Sequence, residues 1–234
     1  MKKGKPLRHS VEGGYKKGDF TRKAILDAAL KIFAEKGFDA SSTRLIASTA
    51  GVNPPALQYY FENKEGVFTS CAEMLADENI ALFMPLLEEA KKAESDRKIV
   101  DCIDIVCKMV EKSLEIIFSI KNYQEVQVFI SRIQSGQGPE KAFNILYNKL
   151  ESPVHEAVAG LVSIICNLPR NSDKVHLRTM NLLSVIIAFF SQRRSAFAKL
   201  KWEKIDEHRL ATLKKIIRED CLTLVTSWQC GKNK

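Results

Sequence analysis

Apolar residues recur every three to four positions along almost the whole chain. That spacing marks amphipathic helices, and no stretch shows the strict alternation of a half-buried strand. The first clear stripe is Ile25, Ala29, Ile32 and Phe33, widened by Leu26 and Leu30. It predicts a helix from about Asp19 or Thr21 to Lys36, with Gly37 placed to take the left-handed backbone that ends helices. Ser41, Ser42 and Thr43 are good N-cap residues, and a short helix is expected over 43–50 with Leu45, Ile46 and Ala47 inward. Gly51, Val52 and Asn53 make a tight turn. Asn53 then caps a second short helix to about Phe61, opened by Pro54 and Pro55, where missing N–H groups do no harm.

Longer helices follow. The pattern predicts them over 64–92 with a bend at Pro85, 96–119, 122–134, 140–167 with an interruption near Pro153, 173–200 and 206–229. A Ser-Gly-Gln-Gly-Pro loop stands at 135–139. The last helix shows Leu210, Leu213, Ile217, Cys221, Leu224 and Trp228 on one face. Residues 1–18 are basic, contain several glycines and are nearly free of apolar residues, which predicts a disordered basic arm. The expected fold is all-α, with a headpiece over 19–63 and a larger helical domain over 64–234.

Charge adds a direction to this pattern. The net charge is +8. Residues 1–20 carry six Lys/Arg against two acids, residues 21–64 six against four, and the remainder 24 against 22. Most of the excess therefore sits at the N-terminal end, where it suits a polyanionic partner. The longest apolar run, residues 182–190, is nine long with Ser184 inside it, against about 20 for a membrane span. The N-terminus has basic residues but no apolar stretch behind them, so no secretory signal is expected. Six cysteines without any CxxC spacing fit a reducing cytosol.

The informative stretch is 42–64, STRLIASTAGVNPPALQYYFENK. Two short helices joined by a glycine-containing turn make a helix-turn-helix candidate. Ala47 is small where the two helices must approach, and Val52 and Leu57 plug the junction. The outer face of the second helix offers Pro54, Pro55, Gln58 and Tyr59 and no acid. A helix entering a major groove must avoid acids there, because phosphates flank it. Gln pairs with adenine, and Pro or Ala can meet a thymine methyl. Two short helices in an ordinary bundle are the alternative.

Gly37-Phe38, Thr43, Ile46-Ala47, Ala50-Gly51-Val52, Tyr59-Tyr60-Phe61 and Lys64, all in register, resemble the TetR family of bacterial repressors. The resemblance implies phosphate contacts from Thr43, Tyr59, Tyr60 and Lys64, and base contacts from Arg44, Pro55, Ala56 and Gln58. Gln58 stands where many members have Tyr, and Gly66 in the first turn of the next helix is also unusual. Further on, Cys71-Ala72, Ala76-Asp77, Phe129-Ile130-Ser131-Arg132 and Ser152-Pro153-Val154-His155 are similar to the CecR-type subgroup, regulators linked to antibiotic sensitivity and export genes. The family implies a bacterial, cytoplasmic homodimer whose last two long helices form the seam, a palindromic double-stranded DNA operator, and release by a small-molecule effector.

Met109, Phe118, Phe129, Tyr147, Met180 and Phe189 could line the effector cavity, with Arg132 and His155 as polar contacts; each suits an ordinary core or surface equally. His9, His155, His176 and His208 are scattered, and His155 with Glu156, or His176 beside Asp173, makes at best a pair. Cys102 and Cys107 lie about 140° apart around their helix, so they cannot share a metal alone. No metal or cofactor is expected. A constitutive architectural DNA-binding protein is the nearest competing class. A helical enzyme is the remote one, since no nucleophile elbow, P-loop or dinucleotide fingerprint occurs.

Overall fold

The computed structural model describes residues 11–229, with the backbone alone over 11–17. Eleven α-helices and one π-turn are found among them, and no strand. They are α1 (Val11–Lys36), α2 (Thr43–Thr49), α3 (Pro54–Phe61), α4 (Lys64–Asp96), α5 (Ile99–Ser119), α6 (Tyr123–Gln134), α7 (Glu140–Leu146), the π-turn (Tyr147–Glu151), α8 (Ser152–Cys166), α9 (Asp173–Ser191), α10 (Arg193–Leu200) and α11 (Glu207–Ser227). The all-α expectation is met.

The largest departures from the sequence pattern are at the start of α1 and within residues 173–200, while the expected interruption near Pro153 is present. α1 begins at Val11, so the part of the expected disordered arm from 11 to 18 is helical. Once a helix is nucleated by a packed stripe, each further residue adds a hydrogen bond at little cost, and the turns before Asp19 follow. The rest of that arm, residues 1–10 with His9, lies outside the described residues. The helix expected over 173–200 is broken at Gln192 (φ −115°, ψ 22°) into α9 and α10. The break sets the Arg193 guanidinium over the rings of Phe118, Tyr123 and Phe197, at 5.0, 4.4 and 5.3 Å from their centroids. Near Pro153 the interruption is a π-turn, where the Ser152 N–H bonds to the Tyr147 carbonyl. Pro153 has no N–H to offer the preceding turn, and the wider spacing absorbs that loss. Pro85, by contrast, sits inside α4 with its side chain exposed, so its missing bond faces water.

The chain divides into two compact units. The first holds the chain up to Met74 together with Val128–Phe143. Its core is Ile25, Leu26, Ala29 and Phe33 of α1, Ile46 and Ala47 of α2, Leu57 and Phe61 of α3, Val67 and Phe68 of α4, and Phe129 of α6, all at most 5% exposed. Phe68 is its centre, with ring centroids 4.8 Å from Phe33, 5.2 Å from Phe38 and 4.7 Å from Phe129. The second unit, Leu75–Gln127 with the chain from Asn144 onward, is built on α5. Its buried face, Cys102, Val106, Met109 and neighbours, packs with α8, α9 and α11. On the α11 side, Arg218 bridges Asp104 and Glu111, and Lys214 pairs with Glu115. Residues 64–74 of α4 and 128–134 of α6 belong to the first unit, while the remainders of both helices belong to the second.

Candidate nucleic-acid interface

Side-chain caps set the two short helices. Ser42, in extended backbone, accepts the Leu45 N–H at 3.2 Å, and Asn53 accepts the Ala56 N–H at 2.8 Å. Between them the chain must reverse within three residues. Gly51 does this at φ +68°, a value that would strain any side chain, and the Val52 N–H returns to the Ala47 carbonyl at 3.0 Å. Burial of Ile46 and Ala47 against Leu57 and Phe61 then fixes which face of α3 looks outward.

That outer face carries Pro54, Pro55, Gln58 and Tyr59, all exposed, Tyr59 at 84%. Ala56 and Tyr60 are half-buried beside them, and α3 itself contains no acid. Tyr59 and Tyr60 meet edge to face at 5.2 Å, which restricts both rings. Thr43 is half-buried and Arg44 exposed on α2. Ser41, Ser42, Thr43, Gln58, Glu62, Asn63 and Lys64 line a cleft of about 370 Å³ between the start of α2 and the end of α3. The eight expected DNA-binding residues thus lie on the short helices α2 and α3 and at the start of the long helix α4, all within the first unit.

Lys64 has a task that its sequence position does not reveal. Its Nζ donates to the carbonyls of Phe38, Asp39 and Ser41 at 2.8, 3.3 and 3.3 Å and lies 4.3 Å from the Phe38 ring centroid. Three donors are occupied by the loop that leads into α2. A phosphate contact through this ammonium would have to share it with those carbonyls. Gly66 is explained as well. A Cβ there would fall within contact of the Phe61 carbonyl oxygen, because the α3–α4 turn folds its backbone onto this position, and Asn63 Oδ1 accepts the Gly66 N–H at 2.8 Å.

The residues expected to line one effector cavity are divided between the two units. Phe129 and Arg132 belong to the first unit. Phe129 closes the aromatic cluster around Phe68, and the Arg132 guanidinium bonds to the Ala34 carbonyl at 3.3 Å and to Gln137 at 2.9 Å. The sequence separation of nearly a hundred residues hid this partnership with α1. Of the others, Met109 is fully buried, Tyr147 is 47% and Met180 59% exposed, and Phe118 and Phe189 meet at 5.9 Å. Length and volume suited all of them to a cavity; the face each occupies on its helix separates them. His155, on α8, lies against His176 of α9, with Nε2 and Nδ1 3.1 Å apart. The histidines that look scattered in sequence include one adjacent pair.

Comparison with known proteins extends this geometry. The model of the family "Bacterial regulatory proteins, tetR family" matches residues 25–71, and that of the C-terminal domain of the HTH-type transcriptional dual regulator CecR matches residues 104–225. Over 198 residues the chain is 30% identical to CecR of Shigella flexneri, covering 82% of this chain and 86% of that protein. Among solved structures it is similar in fold to FadR from Bacillus subtilis in complex with stearoyl-CoA (TM-score 0.51, 15% identity, 86% and 97% of the two chains). It is likewise similar to SmeT in its triclosan complex (TM-score 0.52, 16% identity, 87% and 90%).

Proposed function

The chain belongs to the TetR family of bacterial transcriptional regulators, which are DNA-binding proteins and not enzymes, and from that premise we propose that it is a ligand-released repressor acting as a homodimer on a palindromic operator. The observation that carries this reading is the exposed, acid-free face of α3, held rigid by two side-chain caps and a buried junction. Arg44, Pro55, Ala56 and Gln58 meet base edges. Thr43, Tyr59 and Tyr60 meet phosphates and fix the register. Lys64 adds positive charge at the same place, and its carbonyl bonds favour a positioning role for the loop into α2.

A small molecule acts through the second unit. The relatives solved with stearoyl-CoA and with triclosan support a ligand with a large apolar portion. The ligand must bind the DNA-incompetent conformation more tightly, or no population shifts. α4 and α6 are the natural levers, since each is shared between the two units and α6 carries Phe129 and Arg132 of the first. Among the described residues no helix is long and apolar enough to cross a membrane, and a regulator of this kind works beside the chromosome in the cytoplasm.

The test is selection of genomic fragments by the purified full-length protein, followed by footprinting. A protected inverted repeat near a promoter is expected. Retention of fragments without a common sequence would favour an architectural protein and sink the operator reading.

A further inference from the structure

We propose that His155, Glu156 and His176 form a binding site for a divalent transition-metal ion of the zinc class. Two adjacent residues of α8 and one from the first turns of α9 come together here. One ligand atom from each, a ring nitrogen of His155, a carboxylate oxygen of Glu156 and a ring nitrogen of His176, lies within 4.8 Å of the other two. The two imidazole nitrogens are 3.1 Å apart. Zinc–nitrogen bonds of about 2.0–2.1 Å at a tetrahedral angle span about 3.3–3.4 Å between the nitrogens, so the spacing already fits, while each ring must swing by about 35° to point its lone pair at the ion instead of at the other ring. Without a cation, the two rings must instead share a proton in an N–H···N bond. Two imidazoles and one carboxylate are a recurrent zinc donor set, leaving the fourth position to water.

Arg170 holds one of the three ligands from behind. Arg170 donates to the Glu156 carbonyl at 2.9 Å and approaches its carboxylate at 3.6 Å, while its other arm pairs with Glu94. That fixes the Glu156 backbone at the place where the carboxylate must turn, an outer-shell role common around metal carboxylates. All three ligands are half-buried, so an ion can enter from solvent. Bound metal would clasp α8 to the start of α9 across the loop over 167–172 and stabilise the fold by mass action. Uptake at this site is independent of operator binding, so its test and that of the DNA reading fail separately.

The experiment titrates chelator-treated full-length protein with Zn²⁺ by calorimetry and with Co²⁺ by visible absorption. One ion per chain is expected, with Co²⁺ d–d bands, no sulfur-to-cobalt charge-transfer band and a raised thermal midpoint. His155→Gln and His176→Gln should each weaken uptake at least ten-fold, and Glu156→Gln less. No uptake by the wild-type protein overturns the proposal, as does uptake unchanged in the His155→Gln/His176→Gln double variant. A thiolate charge-transfer band would place the ion on cysteine and overturn it equally. Should a histidine variant fail to fold, paramagnetic shifts of the His155 and His176 ring protons in the Co²⁺-loaded wild type decide; their absence refutes the site.

Discussion

Gln58 is the exposed amide at the middle of α3, and its effect should be on sequence preference. Gln58→Ala should cost about 1–3 kcal/mol at one operator position, with little change on random DNA. Competition binding against single-base operator variants measures this, and an equal loss on every sequence would remove Gln58 from base reading. Lys64 should behave differently. Lys64→Met removes three charge-assisted bonds to the loop carbonyls, and thermal unfolding should report a loss of about 1–3 kcal/mol. Affinity should fall by a similar factor on all DNA. A variant with wild-type stability and a salt slope lowered by about 1 would show that the ammonium serves phosphate instead. Gly66→Ala places a methyl against the Phe61 carbonyl, and a further loss of about 1–3 kcal/mol is expected in the same assay. The two short helices, their caps and their outward residues were legible in the sequence because each depends on neighbours within four positions. Lys64 with Phe38, Arg132 with Ala34, and His155 with His176 were not, because each pairing is made by the fold between distant residues.

Elements follow the same rule. α2, α3, α5 and α6 start and stop within about three residues of the positions that their stripes and caps predict, since those signals are local. The break at Gln192 has no local breaker in the sequence; it accompanies the placing of Arg193 over Phe118 and Tyr123 of other elements, contacts that the local pattern cannot show. Between α5 and α11 the charges that join the helices lie on faces bordering the apolar seam. The Lys214 ammonium holds the Glu115 carboxyl below its ordinary range, working against partial burial. A carboxyl that binds its proton less tightly when folded contributes stability that is complete above its unfolded pKa, about 4.3, and is lost as pH falls through that value toward the folded one. Glu115→Gln should therefore lower the thermal midpoint at pH 7 slightly and leave it unchanged near pH 2–3. The group is partly exposed, so solvent screening keeps the effect small. Equal shifts at both pH values would assign the effect to packing.

At the scale of the whole molecule, one headpiece offers little contact area for tight specific binding, and a dimer would double it on a palindrome with half-sites about 34–36 Å apart. The stripe on α11 is largely used within the chain. Leu213 is buried, and Leu224 and Trp228 pack on the core of the second unit. Among the described residues, α9 carries a further set of exposed apolar side chains. Leu177, Met180 and Ile187 are 64%, 59% and 64% exposed, spaced three and seven apart on one side of a single helix. Single exposed apolar residues are ordinary, but a stripe of three on one helix suits the second copy that the proposed homodimer requires. On the proposed dimer reading, Met180 serves the seam and not a cavity. Ile187→Asp should strand a charge in that seam, giving a folded chain that sediments as a monomer at micromolar concentration and binds the operator at least ten-fold more weakly. Leu213→Asp, buried within the chain, should instead abolish the fold, as circular dichroism would report. An Ile187→Asp protein that remains a dimer with full operator affinity would take α9 out of the seam. A wild-type protein that is monomeric at that concentration, yet binds a palindrome tightly and non-cooperatively, would defeat the dimer mechanism itself.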